Sequence, residues 1–488
     1  MTKELYLGID QGTSSSKAVL LTQDEQVVWS DQLPVSIQEH ADGRVEQDSG
    51  ELLFSVKTLF ESARQYAVQH DASIRSMGLA IQRSGVTAWD KTSGAVVQPL
   101  MSHRDSRLKG FISEIEEQWD LIKERTGMPA SPNFSGCKIA LLQTIFPDKR
   151  VLVGTLDSYL LHRLSDGKHF VTEDTMASRS MLYDIHRGGW CHELSDIFGV
   201  CCERLATVRK SIGEFFDYRG VPVTAVLGDQ QAAVLALSHG SGDAVLNLGT
   251  IASLVIPVKN RLPLHPGMIT TVLYSDERSK SIEYLLEAVV SSSGSAIRKA
   301  SEAVRPNVTL EELDAILRSQ CKESDEAWAF YPIDGTGSPH WRTDIKPVLR
   351  GDDVELGHCQ AAAIVDYVAH AIAENMNILR LAGWLNDQVI PVGGGLARLG
   401  YLLQRIADAG GGRLCRVREL QATAVGAALA ARTGVGDSAA PFRTAKLLEC
   451  ERYDATKAAS DQRYDKYCEL RDELLGVTSM TDGSFFVQ

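Results

Sequence analysis

An apolar run that halts for a glycine turn and a few hydroxyls, then resumes, occurs twice in this chain. Residues 5–21 read LYLGIDQGTSSSKAVLL and residues 243–258 read DAVLNLGTIASLVIPV. Each is a pair of apolar strands joined by a turn that contains Gly-Thr. The glycine frees the backbone, and the neighbouring N–H and O–H groups form a concave donor array of the kind that holds phosphate oxygens. On local grounds a plain hairpin explains each stretch equally well, and a shared Gly-Thr leaves open whether the chain is duplicated.

Around these pairs the pattern alternates between strand and helix. Strands are expected at 5–9, 17–21 and 26–30, followed by a helix in SGELLFSVKTLFESARQYAVQH, where Leu52, Val56, Leu59, Phe60, Ala63 and Ala67 share a face. Asp48 with Glu51 three residues on reads as a capping box. The second half carries a long helix in HCQAAAIVDYVAHAIAENMNILRLAG and a strand, glycine turn and helix in DQVIPVGGGLARLGYLLQRIADAGGG. A strand RLCRV and a small-residue helix QATAVGAALAARTG, suited to close packing, follow. The fold class is therefore α/β. At 488 residues the chain exceeds what one core usually organises, which predicts two domains with a binding cleft between them.

The formal net charge is −13 with no basic block, which argues against a nucleic-acid or anionic-membrane surface. The nine cysteines form no CxxC pair and no zinc spacing, so reduced thiols in a cytoplasmic protein are expected. MTKELYLGID lacks the features of a signal peptide, and no run approaches the roughly 20 apolar residues of a spanning helix.

Three places could carry chemistry. The first is DQGTSSSK, which is neither GxxxxGK[ST] nor GxGxxG; its Asp10 could hold Mg²⁺ through water. The second is PVTAVLGDQQAAVLALSHG, where a strand ends in Gly228-Asp229-Gln230, at the carboxyl edge where open α/β sheets bind ligands. Asp229 could take a proton from an attacking hydroxyl and Gln230 could orient it, or Asp229 could simply cap the next helix. The third is VGGGLARLG, whose glycines let a ligand reach the backbone or merely make a sharp turn.

The order of these motifs resembles the FGGY family of carbohydrate kinases, nearest its glycerol kinase branch. GIDQGTSSSKA, IQRSGVTAWDKTSG, TGMPASPNFSGCKIALL, GTLDSYLLHRLSDGKHFVTEDTMASRSMLYDIH, LGDQQAA, NLGT, YPIDGTGSPHW, GGGLAR and ATAVGAA lie in register along nearly the whole chain. The resemblance implies two actin-like, RNase-H-like domains, 1–242 and 243–488, closing over ATP and a sugar or polyol. It implies one phosphate loop per domain: Gly12, Thr13, Ser14 and Ser15 in the first, Gly249 and Thr250 in the second. Gly294, Arg298, Gly394, Gly395 and Arg398 fall where the family holds the nucleotide, and Asp10 matches the acid near the metal. Asp229 matches the catalytic base, with Gln230 beside it and Arg83 contacting substrate.

Three pocket positions depart from the glycerol kinase pattern: Ser84 replaces a glutamate, His103 a tryptophan and Asn133 a tyrosine. A buried hydroxyl without its designed partner costs roughly 1 to 3 kcal/mol, enough to move specificity. The altered pocket is more polar and roomier, which suits a longer polyol or a ketose. The expected activity is ATP-dependent, Mg²⁺-assisted phosphorylation of such a substrate. A glycerol kinase with an altered pocket, and a non-catalytic sugar- and nucleotide-binding relative, stand as alternatives. Family members often associate, so a homo-oligomer is an open expectation; no nucleic acid or membrane partner is expected.

Overall fold

The computed structural model describes residues 3–105, 107–240, 242–259, 261–321, 326–418, 421–444, 449–456 and 462–476. The first pair folds as expected: β1 (Lys3–Gln11) and β2 (Ser15–Leu21) run antiparallel with Asp10 opposite Lys17, and β3 (Val27–Pro34) extends the meander. Residues 5–11 of β1 are all buried, so the strand is covered on both faces. One cover is α1 (Ser49–Gln69), which packs Leu52, Val56, Leu59, Phe60 and Ala63 against Leu5, Leu7 and Ile9. Its start differs from the expected capping box. Asp48 accepts from the Gly50 and Glu51 N–H groups (2.7 and 3.4 Å), but the Glu51 carboxylate bonds the Ser36 N–H and hydroxyl (3.0 and 3.1 Å). Ser36 offers it two donors where the Asp48 backbone offers one.

β4 (Ala72–Ile81) lies parallel to β1, and α2 (Ser135–Ile145) follows in a segment laid beside the sheet. β5 (Ile212–Tyr218) and β6 (Val221–Gly228) complete the order β5-β6-β4-β1-β2-β3, and β6 passes directly into α3 (Asp229–Leu237).

The second sheet starts with the hairpin β7 (Val245–Leu248) and β8 (Ala252–Val258), then β9 (Ile269–Ser275) and β10 (Ile282–Val290). Helices α4 (Gly294–Val304) and α5 (Gly357–Leu381) lead to β11 (Val389–Gly393), parallel to β7. After α6 (Gly400–Gly410) come β12 (Arg413–Val417), α7 (Ala422–Gly434) and β13 (Glu449–Asp454). The order is β9-β10-β8-β7-β11-β12-β13. In both sheets an antiparallel three-strand meander is followed by two parallel strands and an antiparallel edge, with β9 added outside in the second. Chance likeness of two hairpins would not extend to the strands beyond them; the architecture repeats.

Helix α7 is the second cover of the first sheet. Tyr6, Val19 and Leu21 point to the face opposite α1 and meet Ala424, Val425, Ala428 and Leu429. The approach is at backbone range: a Cβ at Gly8 or Gly78 would lie on the carbonyls of Ala424 and Ala427, and one at Gly426 on the Ala232 carbonyl of α3. A buried ion pair between Arg432 and Glu25 (2.7 Å) fastens the end of the helix to the β2–β3 turn. A further core, including Ala80, Leu227, Leu235, Val245, Val255, Leu285 and Ala430, joins the two sheets. Among the described residues no helix is long and apolar enough to cross a membrane.

Candidate active site

The first hairpin turn is held by three glutamines. The Gly12 N–H donates to the Ser15 carbonyl (3.1 Å), while Gln47 Nε2 donates to the Thr13 carbonyl (2.9 Å). Gln82, at the end of β4, donates from its side chain to the amide oxygens of Gln11 and Gln47 (3.2 and 3.0 Å). At the end of β1, Asp10 is buried and its Oδ1 has no hydrogen-bond partner. Burial, and after it the nearby Asp229 carboxylate, push the Asp10 acid up to about 7 against the pull of Lys17.

Asp229 is the first residue of α3, with Gly228 as the helix N-cap. The strand end is fixed because the Gly228 N–H donates to Thr175 Oγ1 (2.8 Å), whose hydroxyl in turn donates to the buried Glu173. Asp229 Oδ1 accepts from the Gln230 N–H (2.8 Å) and faces Arg83 Nε at 3.3 Å. Arg83 also donates to Gln230 Oε1, and Gln230 Nε2 donates to Glu287 Oε1 (3.1 Å). Glu287 stands on β10 of the second sheet, where it also accepts from Ser253 Oγ (3.1 Å) and Arg179 Nη1 (2.9 Å). Burial works to raise the Glu287 acid, yet Arg179 and Arg83 outweigh it and hold the group below its ordinary value. Arg179 lies 4.8 Å over the Phe134 ring; burial, and next the neighbouring Arg83, lower it to about 10.

His103 completes this cluster. Burial first, then the positive charges of Lys138, Arg104, Arg83 and Arg179, push its imidazole down to about 4, so it is neutral at pH 7. Lys138, buried on α2, donates to the carbonyls of Pro132, Asn133 and Phe134 (3.3, 2.8 and 3.3 Å). Asn133 is thus tied in through its backbone, while its side chain is exposed. Ser84 is buried with φ +66°, a left-handed conformation unusual for a residue with a Cβ.

The depressed His103 value has a consequence for stability. The unfolded histidine titrates near 6.5 and the folded one near 4, so the native state resists protonation and loses stability as pH falls through that window. His103→Gln should flatten this loss, by on the order of 2 kcal/mol near pH 4. Urea unfolding of both proteins at pH 7 and 4.5 checks it; parallel losses would mean the ring is not shielded.

On the second sheet the glycines converge. The Gly294 N–H donates to the Thr250 carbonyl (2.9 Å), and a Cβ at Gly294 would sit 2.8 Å from Thr250 Cα. Gly394, with φ +95°, leaves its Cβ no room beside the Leu248 carbonyl, whereas Gly395 faces open space. Gly249, Thr250, Gly294, Gly394 and Gly395 therefore surround one place. Arg298 and Arg398 are exposed, and Arg398 turns to Glu311 (3.3 Å) and the Gly395 carbonyl (3.3 Å).

Sequence reasoning missed Arg179, Glu287 and Lys138. Glu287 and Lys138 are charges set in apolar runs, YLLEAVV and GCKIALL, and Arg179 stands between two serines just ahead of one, in SRSML. Charges of this kind are buried only when paired or solvated by polar groups, and that was the signal available.

Residues 5–236 match the family described as FGGY family of carbohydrate kinases, N-terminal domain. A glycerol kinase of Methylobacterium nodulans is 30% identical over 479 residues, spanning 92% of this chain and 93% of that protein. One from Xanthobacter autotrophicus is 28% identical, spanning 94% and 95%. Among solved structures, Plasmodium falciparum glycerol kinase with ADP superimposes with a TM-score of 0.85 at 21% identity, over 98% of this chain and 99% of that one. Xylulose kinase from Rhodospirillum rubrum gives a TM-score of 0.84 at 17% identity, over 96% and 99%. At these identities the structural likeness speaks to fold, and the fold they share with this chain is the two-domain, actin-like α/β one.

Proposed function

Because this chain belongs to the FGGY family of carbohydrate kinases, we propose that Asp229 is the group that receives the acceptor hydroxyl's proton. The enzyme is an ATP-dependent phosphotransferase that acts on an alcohol group of a polyol or sugar. The observation that carries the assignment of Asp229 is its place. It stands at the carboxyl end of β6, beside Arg83 and within electrostatic reach of Asp10 at the end of β1.

An alcohol is a poor acid, so its proton moves to Asp229 as the new P–O bond forms and not before. Arg83 holds the carboxylate in place through Nε, and with Ser84, His103, Asn133 and Gln230 lines the acceptor side. The acceptor site is assigned to residues 1–242 and the nucleotide to 243–488. Gly12 closes the first turn, whose backbone donors at Thr13–Ser15 cradle the phosphates together with those of Gly249 and Thr250, and Gly294, Gly394 and Gly395 let the nucleotide approach the main chain. Arg298 and Arg398 border it at the surface. Most of the rate comes from alignment and charge neutralisation.

Among the described residues no three His, Cys, Asp or Glu side chains form a metal cage. The free, buried Oδ1 of Asp10 next to a second carboxylate nevertheless suits a hydrated Mg²⁺ that shares its charge with phosphates. When bound, the ion would neutralise phosphate charge. The cytoplasm, where ATP is supplied, is the proposed compartment, and the partner is a small-molecule acceptor.

The test is ADP release with MgATP across glycerol, tetritols, pentitols and ketoses. A signal on a longer polyol or ketose that exceeds glycerol supports the pocket reading, and silence throughout overturns the kinase reading. The glycerol kinase alternative is favoured by the sequence relatives. It can be tested by restoring the missing acid: Ser84→Glu should raise kcat/KM for glycerol roughly 10- to 100-fold relative to the longer acceptor. No shift would remove position 84 from the specificity argument.

A further inference from the structure

We infer that Glu287 is a positioning residue through which the second sheet sets the acceptor pocket of the first; this rests on the kinase reading above. Glu287 is 2% exposed on an otherwise apolar stretch of β10, and the partners on the acceptor side, Arg179 and Gln230, belong to the other half of the chain. One oxygen takes Arg179 Nη1, and the other takes Gln230 Nε2 and Ser253 Oγ.

The chemistry of the middle group makes the arrangement directional. A carboxylate only accepts and a guanidinium only donates, so the Gln230 amide satisfies both neighbours in one orientation alone, with NH₂ toward Glu287 and oxygen toward Arg83. With that orientation fixed, Arg83 is drawn onto Gln230 and its Nε stays against Asp229. Without the Glu287 charge, the amide loses the partner that selects its orientation, and Arg179 is left a buried cation without its counter-ion. On its own sheet Glu287 takes Ser253 of β8, which lies outside the Gly249–Thr250 loop, so the loss of the charge is felt chiefly by the acceptor.

The experiment is steady-state kinetics on the full chain with its best acceptor. Glu287→Gln should raise the acceptor KM roughly 10- to 100-fold while the ATP KM moves less than about twofold. Gln230→Met breaks the same connection from the other side, so the double variant should be no worse than the poorer single one. Glu287→Asp keeps the charge for Arg179 but withdraws the carboxylate from Gln230 by one methylene. It should fold where Glu287→Gln fails and still raise the acceptor KM. Additive effects, or equal changes in both KM values, overturn the inference. Wild-type protein that releases no ADP with any acceptor overturns the kinase reading, and the inference with it.

Discussion

Asp229→Asn should slow phosphoryl transfer by a factor of about 10² to 10⁴ while leaving ATP and ADP affinity unchanged. The substitution keeps the shape of the side chain and the oxygen that accepts the Gln230 N–H, so α3 starts as before. What it removes is the basic carboxylate facing Arg83, hence the place for the hydroxyl's proton. The phosphate contacts proposed at Gly12–Ser15 and Gly249–Thr250 lie on other elements, and nucleotide binding should persist. Coupled measurement of ADP release, with calorimetry of ADP binding, separates the two. Turnover within tenfold of wild type would mean that Asp229 is not the proton acceptor.

The second large effect concerns stability. Gly426→Ala should cost roughly 3 kcal/mol or more and sharply reduce the yield of folded protein, because the new methyl would occupy the Ala232 carbonyl. Two backbones in contact cannot give way as a side-chain tip can. Gly8→Ala and Gly78→Ala meet the same helix at the Ala424 and Ala427 carbonyls and should behave alike. Gly110→Ala is the control: the residue is exposed in the short helix Lys109–Glu114 with nothing within 4 Å of the added carbon, and should be neutral or slightly stabilising. Urea midpoints of the four variants decide it; a Gly426→Ala protein as stable as wild type would show that α7 can retreat from α3.

Much of the architecture was legible because strands and turns announce themselves locally. The strand, Gly-Thr and strand pattern placed both hairpins, and Gly-Asp at the end of an apolar run placed Asp229 at a sheet edge. Helix α7 illustrates the limit. Its alanines and glycines said that something packs closely on it, but small residues carry no address, and the partner turned out to include β1 and β2, made of residues more than 300 positions earlier. Glu51 was misread for a related reason: a capping box is a local rule, and Ser36 competed from outside its span. The Gln230, Glu287 and Arg179 connection depends on two sheets facing each other, which no window of sequence contains.

The lateness of α7 in the chain bears on how the protein is made. Strand β1 leaves the ribosome well before α7, so its face carrying Tyr6 and Gly8 gains its cover only after residue 434 has been synthesised. Until α7 emerges the first sheet is therefore a half-finished surface, and closing it brings together segments some 400 residues apart. The two halves cannot be cut apart at the middle of the chain without taking the roof from the first.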